Sequence, residues 1–209
     1  MEQPTLYYFY DPMCSWCWGF SPAWNQLQSA VMNETNVVTV LGGLAPDSNE
    51  PMPIQMQEYL QQTWRMIALR IPGTVFNHDF WTQCQPRRST YPACRAVIAA
   101  RLQGKGFENM MITAIQEGYY LQGKNPSDDS TLVDLAVSVG LKGNQFEEDL
   151  NTVLTQETLD REIAFGHSVG IQGFPSLVLM QNGKIQVIPV NFTDADSMIS
   201  SVRMGLNAG

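Results

Sequence analysis

Leu6 to Tyr10 is a short run of large apolar and aromatic side chains, with the length and composition of a buried strand. After it, Phe20, Ala23, Trp24, Leu27 and Val31 recur at helical spacing. They predict a helix over 15–32 with one apolar face, its early part bent by Pro22. Val37 to Leu41 reads as a second buried strand, closed by Gly42-Gly43. The order is β-α-β, the unit that joins parallel strands.

From about Ala45 the strand pattern disappears and helical patterns follow, separated by Pro and Gly. Helices are predicted over 54–70, 92–103, 107–121, 131–139, 144–153 and 157–169, with Pro92 in a first turn, Ser130 as an N-cap and Gly170 as a stop. Strands return at Ser176–Met180 and Lys184–Ile188, and Asn182-Gly183 between them is a strong hairpin signal. A last helix, from about Asp194 to Gly205, turns Met198, Ile199, Val202 and Leu206 to the sheet, with Thr193 or Asp194 as its cap. The chain is therefore expected to be α/β, ordered β-α-β, helices, β-β-α. Residues 1–44 with 160–209 make one discontinuous mixed-sheet domain, and residues 45–159 an inserted all-helical domain.

Composition narrows the function. With 44% hydrophobic residues over 209 positions the chain can bury a core, which excludes a disordered chain. Its 12 Lys and Arg against 20 Asp and Glu leave a net charge of −8, which argues against nucleic acid as a partner. The start, Met1-Glu2-Gln3-Pro4-Thr5, has no basic region, and the apolar run after it stops at Asp11-Pro12. No stretch is long enough to span a membrane, so a cytoplasmic location is expected. In a reducing compartment closely spaced cysteines point to catalysis or metal rather than to structural bridges.

Cys14-Ser15-Trp16-Cys17 falls where the first strand hands over to the first helix. A thiol in the first helical turn faces unpaired backbone N–H groups and the positive end of the helix dipole, both of which favour thiolate. Cys14, at the helix end, fits the nucleophile, and Cys17, a turn deeper, the resolving thiol. The alternatives are an inert buried pair and half of a zinc site. Zinc needs two further ligands, and Cys84, Cys94, His78 and His167 supply no second close-spaced pair. Gly173-Phe174-Pro175 opens the returning strand. The expected topology brings the 174–175 bond to the end of the sheet where the first helix starts, facing Cys14.

This set of features resembles the DsbA family of thioredoxin-fold oxidoreductases: an N-terminal strand, C-x-x-C opening a helix, a helical insertion, and Gly-Phe-Pro before a hairpin and last helix. The stretch from Tyr8 to Phe20 is similar to its FrnE-like branch, related to 2-hydroxychromene-2-carboxylate isomerases and kappa-class glutathione transferases. The resemblance implies a thioredoxin fold with a large helical insertion, Cys14 as nucleophile, Cys17 as resolving residue and Pro175 as a cis-proline flanking the substrate disulfide. The chain departs from the family at three places: Ser15-Trp16 where the founder has Pro-His, Tyr8 where the family has a strand acid, and Phe174 where the founder has Val.

The leading function is thiol–disulfide exchange with proteins or small molecules, with no metal and no bound cofactor, and with glutathione or the thioredoxin system as electron partners. Ser15, Trp16, Trp18, Phe174 and Pro175 are the expected substrate contacts, Trp16 being exposed beside the sulfur. The alternatives are a glutathione-dependent isomerase or transferase of the related branch, with glutathione as co-substrate, and a non-catalytic binding module. Asp11 reads first as turn chemistry, with proton handling as the alternative. Cys84 and Cys94 read as buried small hydrophobes, with a regulatory disulfide or metal binding as alternatives. His167 reads as a packed histidine or as part of the site's rim, and His78 as loop. Arg87, Arg88 and Arg95 read as solvated surface or as a cationic rim for an anionic ligand.

Overall fold

A computed structural model describes residues 3–208. β1 (Thr5–Tyr10) leads through α1 (Ser15–Val31) to β2 (Asn36–Leu41). Seven helices follow: α2 (Ile54–Arg70), α3 (Phe80–Gln83), α4 (Tyr91–Leu102), α5 (Phe107–Tyr120), α6 (Asp129–Ser138), α7 (Gly143–Leu150) and α8 (Val153–Ser168). β3 (Ser176–Gln181), β4 (Lys184–Ile188) and α9 (Ala195–Asn207) complete the described chain. The sheet order is β2-β1-β3-β4, with β1 parallel to β2 and antiparallel to β3, and β3 antiparallel to β4. The chain has the thioredoxin fold, mixed α/β with the helical segments inserted between β2 and β3.

The aromatic run of β1 suits the centre of a sheet covered on both faces. Leu6, Tyr8 and Tyr10 enter a large apolar cluster with Leu27 of α1 and Met198 and Val202 of α9. Phe9 points the other way, to Val40, Val178 and Phe165 of α8. The large cluster continues without a break into Trp64, Met111 and Phe146 of the inserted helices. Asn182 and Gly183 take positive φ at the β3–β4 turn, as an Asn-Gly hairpin requires.

Several local expectations shift. α3 has only four residues, too short to show a helical period. α6 begins at Asp129 rather than after a Ser130 cap, with Asp128 at its N-cap position. α8 begins at Val153, because Thr152 supplies a side-chain cap to Thr155 N, so the expected 159/160 boundary falls within a helix. Asp194 caps α9 by accepting from Ser197 N.

Candidate active site

The β1–α1 turn is held from inside by Asp11. This carboxylate is fully buried. One oxygen accepts from Met13 N at 2.8 Å; the other accepts from Leu44 N at 2.8 Å and from the Thr90 hydroxyl at 2.6 Å, with the Cys94 thiol 3.6 Å away. The Asp11 carbonyl takes Cys14 N at 3.0 Å. Burial pushes the Asp11 carboxyl up from its ordinary value, and the donors only partly offset this. Turn formation is thus the visible role of Asp11. It also ties the turn to α4 through Thr90 and Cys94, which the sequence did not indicate.

Cys14 is the N-cap of α1, and its Sγ accepts from Cys17 N at 3.4 Å. The same sulfur lies 3.5 Å from the Phe174 carbonyl, to which its thiol donates. The Phe174–Pro175 peptide is cis. Helix start and proline loop, 160 residues apart in sequence, therefore meet at one sulfur. Cys17 is wholly buried, and burial is the main reason its thiol is pushed well above the ordinary value; the neighbouring Cys14 adds to this. Tyr8 of β1 belongs to the same core cluster as Cys17, and burial pushes its hydroxyl well above the ordinary value. All four cysteines are free thiols.

Cys14 opens onto a cavity of about 210 Å³. Met13, Ser15, Trp16 and Phe174 form the wall nearest the sulfur. Across from them stand Leu44 and residues of the inserted helices, including Tyr59, Leu60 and Tyr119, with Arg87 and Arg88 also on the wall. Ser15 Oγ accepts from Trp64 Nε1 at 2.8 Å, which fixes the dipeptide between the cysteines from behind. The residues from the insertion carry no motif; their amphipathic spacing marks helices but not what those helices face. Among the described residues no three His, Cys, Asp or Glu side chains form a metal-binding group.

Several expected site residues are placed differently. Trp16 lines the cavity but is half-buried rather than exposed, because its ring packs on Phe192 at 5.2 Å. Trp18 turns away from the cavity: it stacks on Tyr120 at 5.6 Å and donates to the Val75 carbonyl at 3.1 Å, anchoring α1 to the insertion. His167 is exposed in the last turn of α8 and is neither packed nor on the cavity wall, since Gly166 takes the inward position. Arg95 is buried, not solvated; it grips Asp47 with two nitrogens and also donates to Gln156 and Asn151. Arg87 pairs with Asp128 at 2.6 Å, while Arg88 is exposed at the cavity edge. Cys94 is buried, whereas Cys84 is partly exposed and donates to the Gly123 carbonyl at 3.1 Å.

Comparison with known proteins agrees with this geometry. A family model described as thioredoxin matches residues 7–198. The cytosolic disulfide reductase DsbM from Pseudomonas aeruginosa superposes with a TM-score of 0.76 at 26% identity, over 98% of this chain and 100% of that one. A Nitrosomonas europaea protein, described provisionally as a protein disulfide isomerase, superposes at 0.85 with 23% identity over 99% of both chains. The ClpXP adapter protein SpxH of Bacillus subtilis strain 168 is 24% identical over 172 residues, which are 82% of this chain and 56% of SpxH. The chain thus spans little more than half the length of that curated relative. With a thioredoxin model covering most of its length, the chain belongs to the thioredoxin family, and it shares its fold with DsbA-type oxidoreductases.

Proposed function

We propose that the protein is a thiol–disulfide oxidoreductase working through Cys14 and Cys17. The observation that carries this reading is the Cys14 sulfur, held by Cys17 N, facing the Phe174 carbonyl beside cis-Pro175 and opening onto a cavity. Cys14 attacks one sulfur of a substrate disulfide, a mixed disulfide forms, and the other sulfur leaves as a thiolate. Cys17 then attacks the Cys14 sulfur, closing the Cys14–Cys17 bond and releasing the second substrate thiol. Run backwards, the oxidised pair takes two electrons from a substrate dithiol. The cis-proline loop, Ser15 and Trp16 are the surfaces against which substrate docks in this reading.

Cys14→Ser should abolish disulfide turnover, and Cys17→Ser should accumulate mixed disulfides visible by mass spectrometry. Full turnover by Cys14→Ser would sink the mechanism. Direction follows from the Cys14–Cys17 potential: a value near thioredoxin's, about −270 mV, marks a reductase, and one near about −120 mV a disulfide donor. A cytoplasmic setting accords with the cytosolic DsbM likeness, and among the described residues no helix is long and apolar enough to cross a membrane.

Glutathione is proposed as an electron partner rather than as the substrate of an isomerase. Arg88 puts positive charge at the edge of the cavity onto which Cys14 opens, beside Arg87 whose charge is paired with Asp128, and DsbM has been solved with GSH. An isomerase or transferase needs no resolving thiol, so the intact Cys17 beneath Cys14 favours exchange. Tight non-covalent glutathione binding with isomerase activity in Cys17→Ala would reverse that ranking. The likeness to ClpXP adapters supports a second reading, a protein-binding module. Client binding that survives replacement of both Cys14 and Cys17 would favour it.

A further inference from the structure

The two outer edges of the sheet differ. At the β2 edge Leu41 N donates to Glu162 of α8 at 2.6 Å and the Thr39 hydroxyl donates to Glu108 of α5, so the inserted helices close that side. β4 stands at the other end of the order β2-β1-β3-β4, and among the described residues no strand pairs with its outer side. Asn182 and Gly183 make a two-residue turn, so Gln181 and Lys184 are the hydrogen-bonded pair that closes the hairpin. Backbone direction alternates along an antiparallel strand. Lys184, Gln186 and Ile188 therefore turn their N–H and C=O groups to β3, and Ile185 and Val187 turn theirs outward.

The side chains at these two positions are exposed as well, Ile185 by 56% and Val187 by 68%. They share one face of the sheet, where Ile185 neighbours Met180 and Val187 neighbours Val178. Edge strands commonly resist pairing through charge, proline or a bulge. In β4 the single charge is Lys184, at the hairpin end. The acidic excess of the chain lies elsewhere, since no Asp or Glu occurs between Glu162 and Asp194. The strand is also complementary to itself. Laid antiparallel on a second β4 with a two-fold axis at Gln186, Ile185 faces Val187 of the second copy and Val187 faces its Ile185. In that register the outward N–H and C=O groups of both strands all find partners, and the apolar side chains join into one patch. Centring the axis on Val187 would set Ile185 against Pro189, which has no N–H, and centring it on Ile185 would set Val187 against Gly183 of the turn.

We propose that the protein pairs with a second copy of itself through β4, joining the two sheets into one across a two-fold axis at Gln186. The assembly is closed: each copy offers one open edge, and the β2 edge is covered. It also leaves the chemistry accessible. Pro175 precedes β3, and Leu177 of β3 pairs with Ile188, so the Cys14 site lies at the Ile188 end of β4. Antiparallel pairing then sets the two sites at opposite ends of the interface, and no wall of the Cys14 cavity comes from β4. The pairing does not depend on the exchange reading.

The test has two parts, both on the full chain. Sedimentation of the reduced protein over about three decades of concentration, up to about 1 mM, should show a monomer–dimer equilibrium. Val187→Lys puts a charge into the apolar patch and should weaken that equilibrium roughly tenfold or more, while its far-UV circular dichroism stays that of wild type. The second part uses a Cys14→Ser, Cys17→Ser, Cys84→Ala background. There Gln186→Cys should give a covalent dimer on mild oxidation, because facing residues at a non-hydrogen-bonded antiparallel position have Cα atoms about 4.5 Å apart, within disulfide reach. Lys184→Cys lies on the same face but about 13 Å from its counterpart, and should stay monomeric on a denaturing gel. A monomer at every concentration overturns the proposal and leaves the β4 edge to an extended segment of another protein. A dimer that Val187→Lys does not weaken is held by another surface and overturns it equally. No covalent dimer from Gln186→Cys, or equal cross-linking at both positions, overturns the register.

Discussion

Asp11 shows how one buried side chain carries both packing and electrostatics at the active-site turn. Removing its carboxylate strands two backbone N–H groups and a hydroxyl, so Asp11→Ala should cost about 3 kcal/mol in urea unfolding. Its titration gives a second check. Burial raises the folded-state carboxyl above 3.8, so the folded chain holds this proton to higher pH than the unfolded chain does. The stability contributed this way is fully present below the unfolded value and is lost as pH rises through the folded one. The stability of wild type relative to Asp11→Asn should therefore increase as pH falls from about 6 to about 4. A difference that stays level across that range would show that the carboxyl is not raised. The sequence placed Asp11 in a turn because Asp-Pro is turn chemistry, but its partners Leu44, Thr90 and Cys94 lie far along the chain.

At the scale of elements, the end of β2 and the cis-proline loop fit each other closely. A Cβ on Gly42 would lie 1.8 Å from Phe174 Cζ, far inside contact distance and against a half-buried ring that packs on the core. Gly42→Ala must displace that ring, which lines the cavity onto which Cys14 opens. We expect a loss of about 1–3 kcal/mol. Disulfide turnover should fall about tenfold, as expected for groups misplaced by a fraction of an ångström. Gly183→Ala is the control: its positive φ at the hairpin tip should cost about 1 kcal/mol while turnover is unchanged, because the tip lies at the opposite end of β3 from Pro175. Normal turnover in Gly42→Ala would remove Phe174 from the positioning machinery. The hairpin was legible from Asn-Gly because its cause is local. The need for glycine at position 42 was not, because the ring it accommodates arrives from residue 174.

Across the whole molecule, inserted helices and sheet are joined by a cluster of half-buried charge. Arg101 of α4 pairs with Glu162 of α8 and with Glu108 of α5. Glu162 also accepts from Leu41 N at 2.6 Å, and Glu108 from the Thr39 hydroxyl, so both reach β2. Burial works against the Arg101 charge, yet Glu162, Tyr10 and Glu108 hold it up; burial likewise pushes Glu162 up, offset in part by Arg101. Arg101→Met would leave two half-buried carboxylates without their shared cation, at a cost of about 2 kcal/mol near neutral pH. Glu162 has the raised carboxyl, so the penalty should shrink as acid protonates it. Urea titrations of wild type and Arg101→Met at pH about 7 and about 4.5 test this, and an equal penalty at both would separate Arg101 from Glu162.

The order of elements, the Cys14–Cys17 pair at a helix start, the Asn-Gly hairpin and the inward face of α9 were legible in the sequence alone. Each depends on periodicity, turn chemistry or spacing within a few residues. Only the tertiary structure decided that Trp18 and Arg95 are packing residues, that His167 is exposed, and that the cavity's far wall comes from the insertion. The physical reason is common to all of these: an amphipathic pattern says which side of an element is buried, while the partner on that side is set by how distant segments pack.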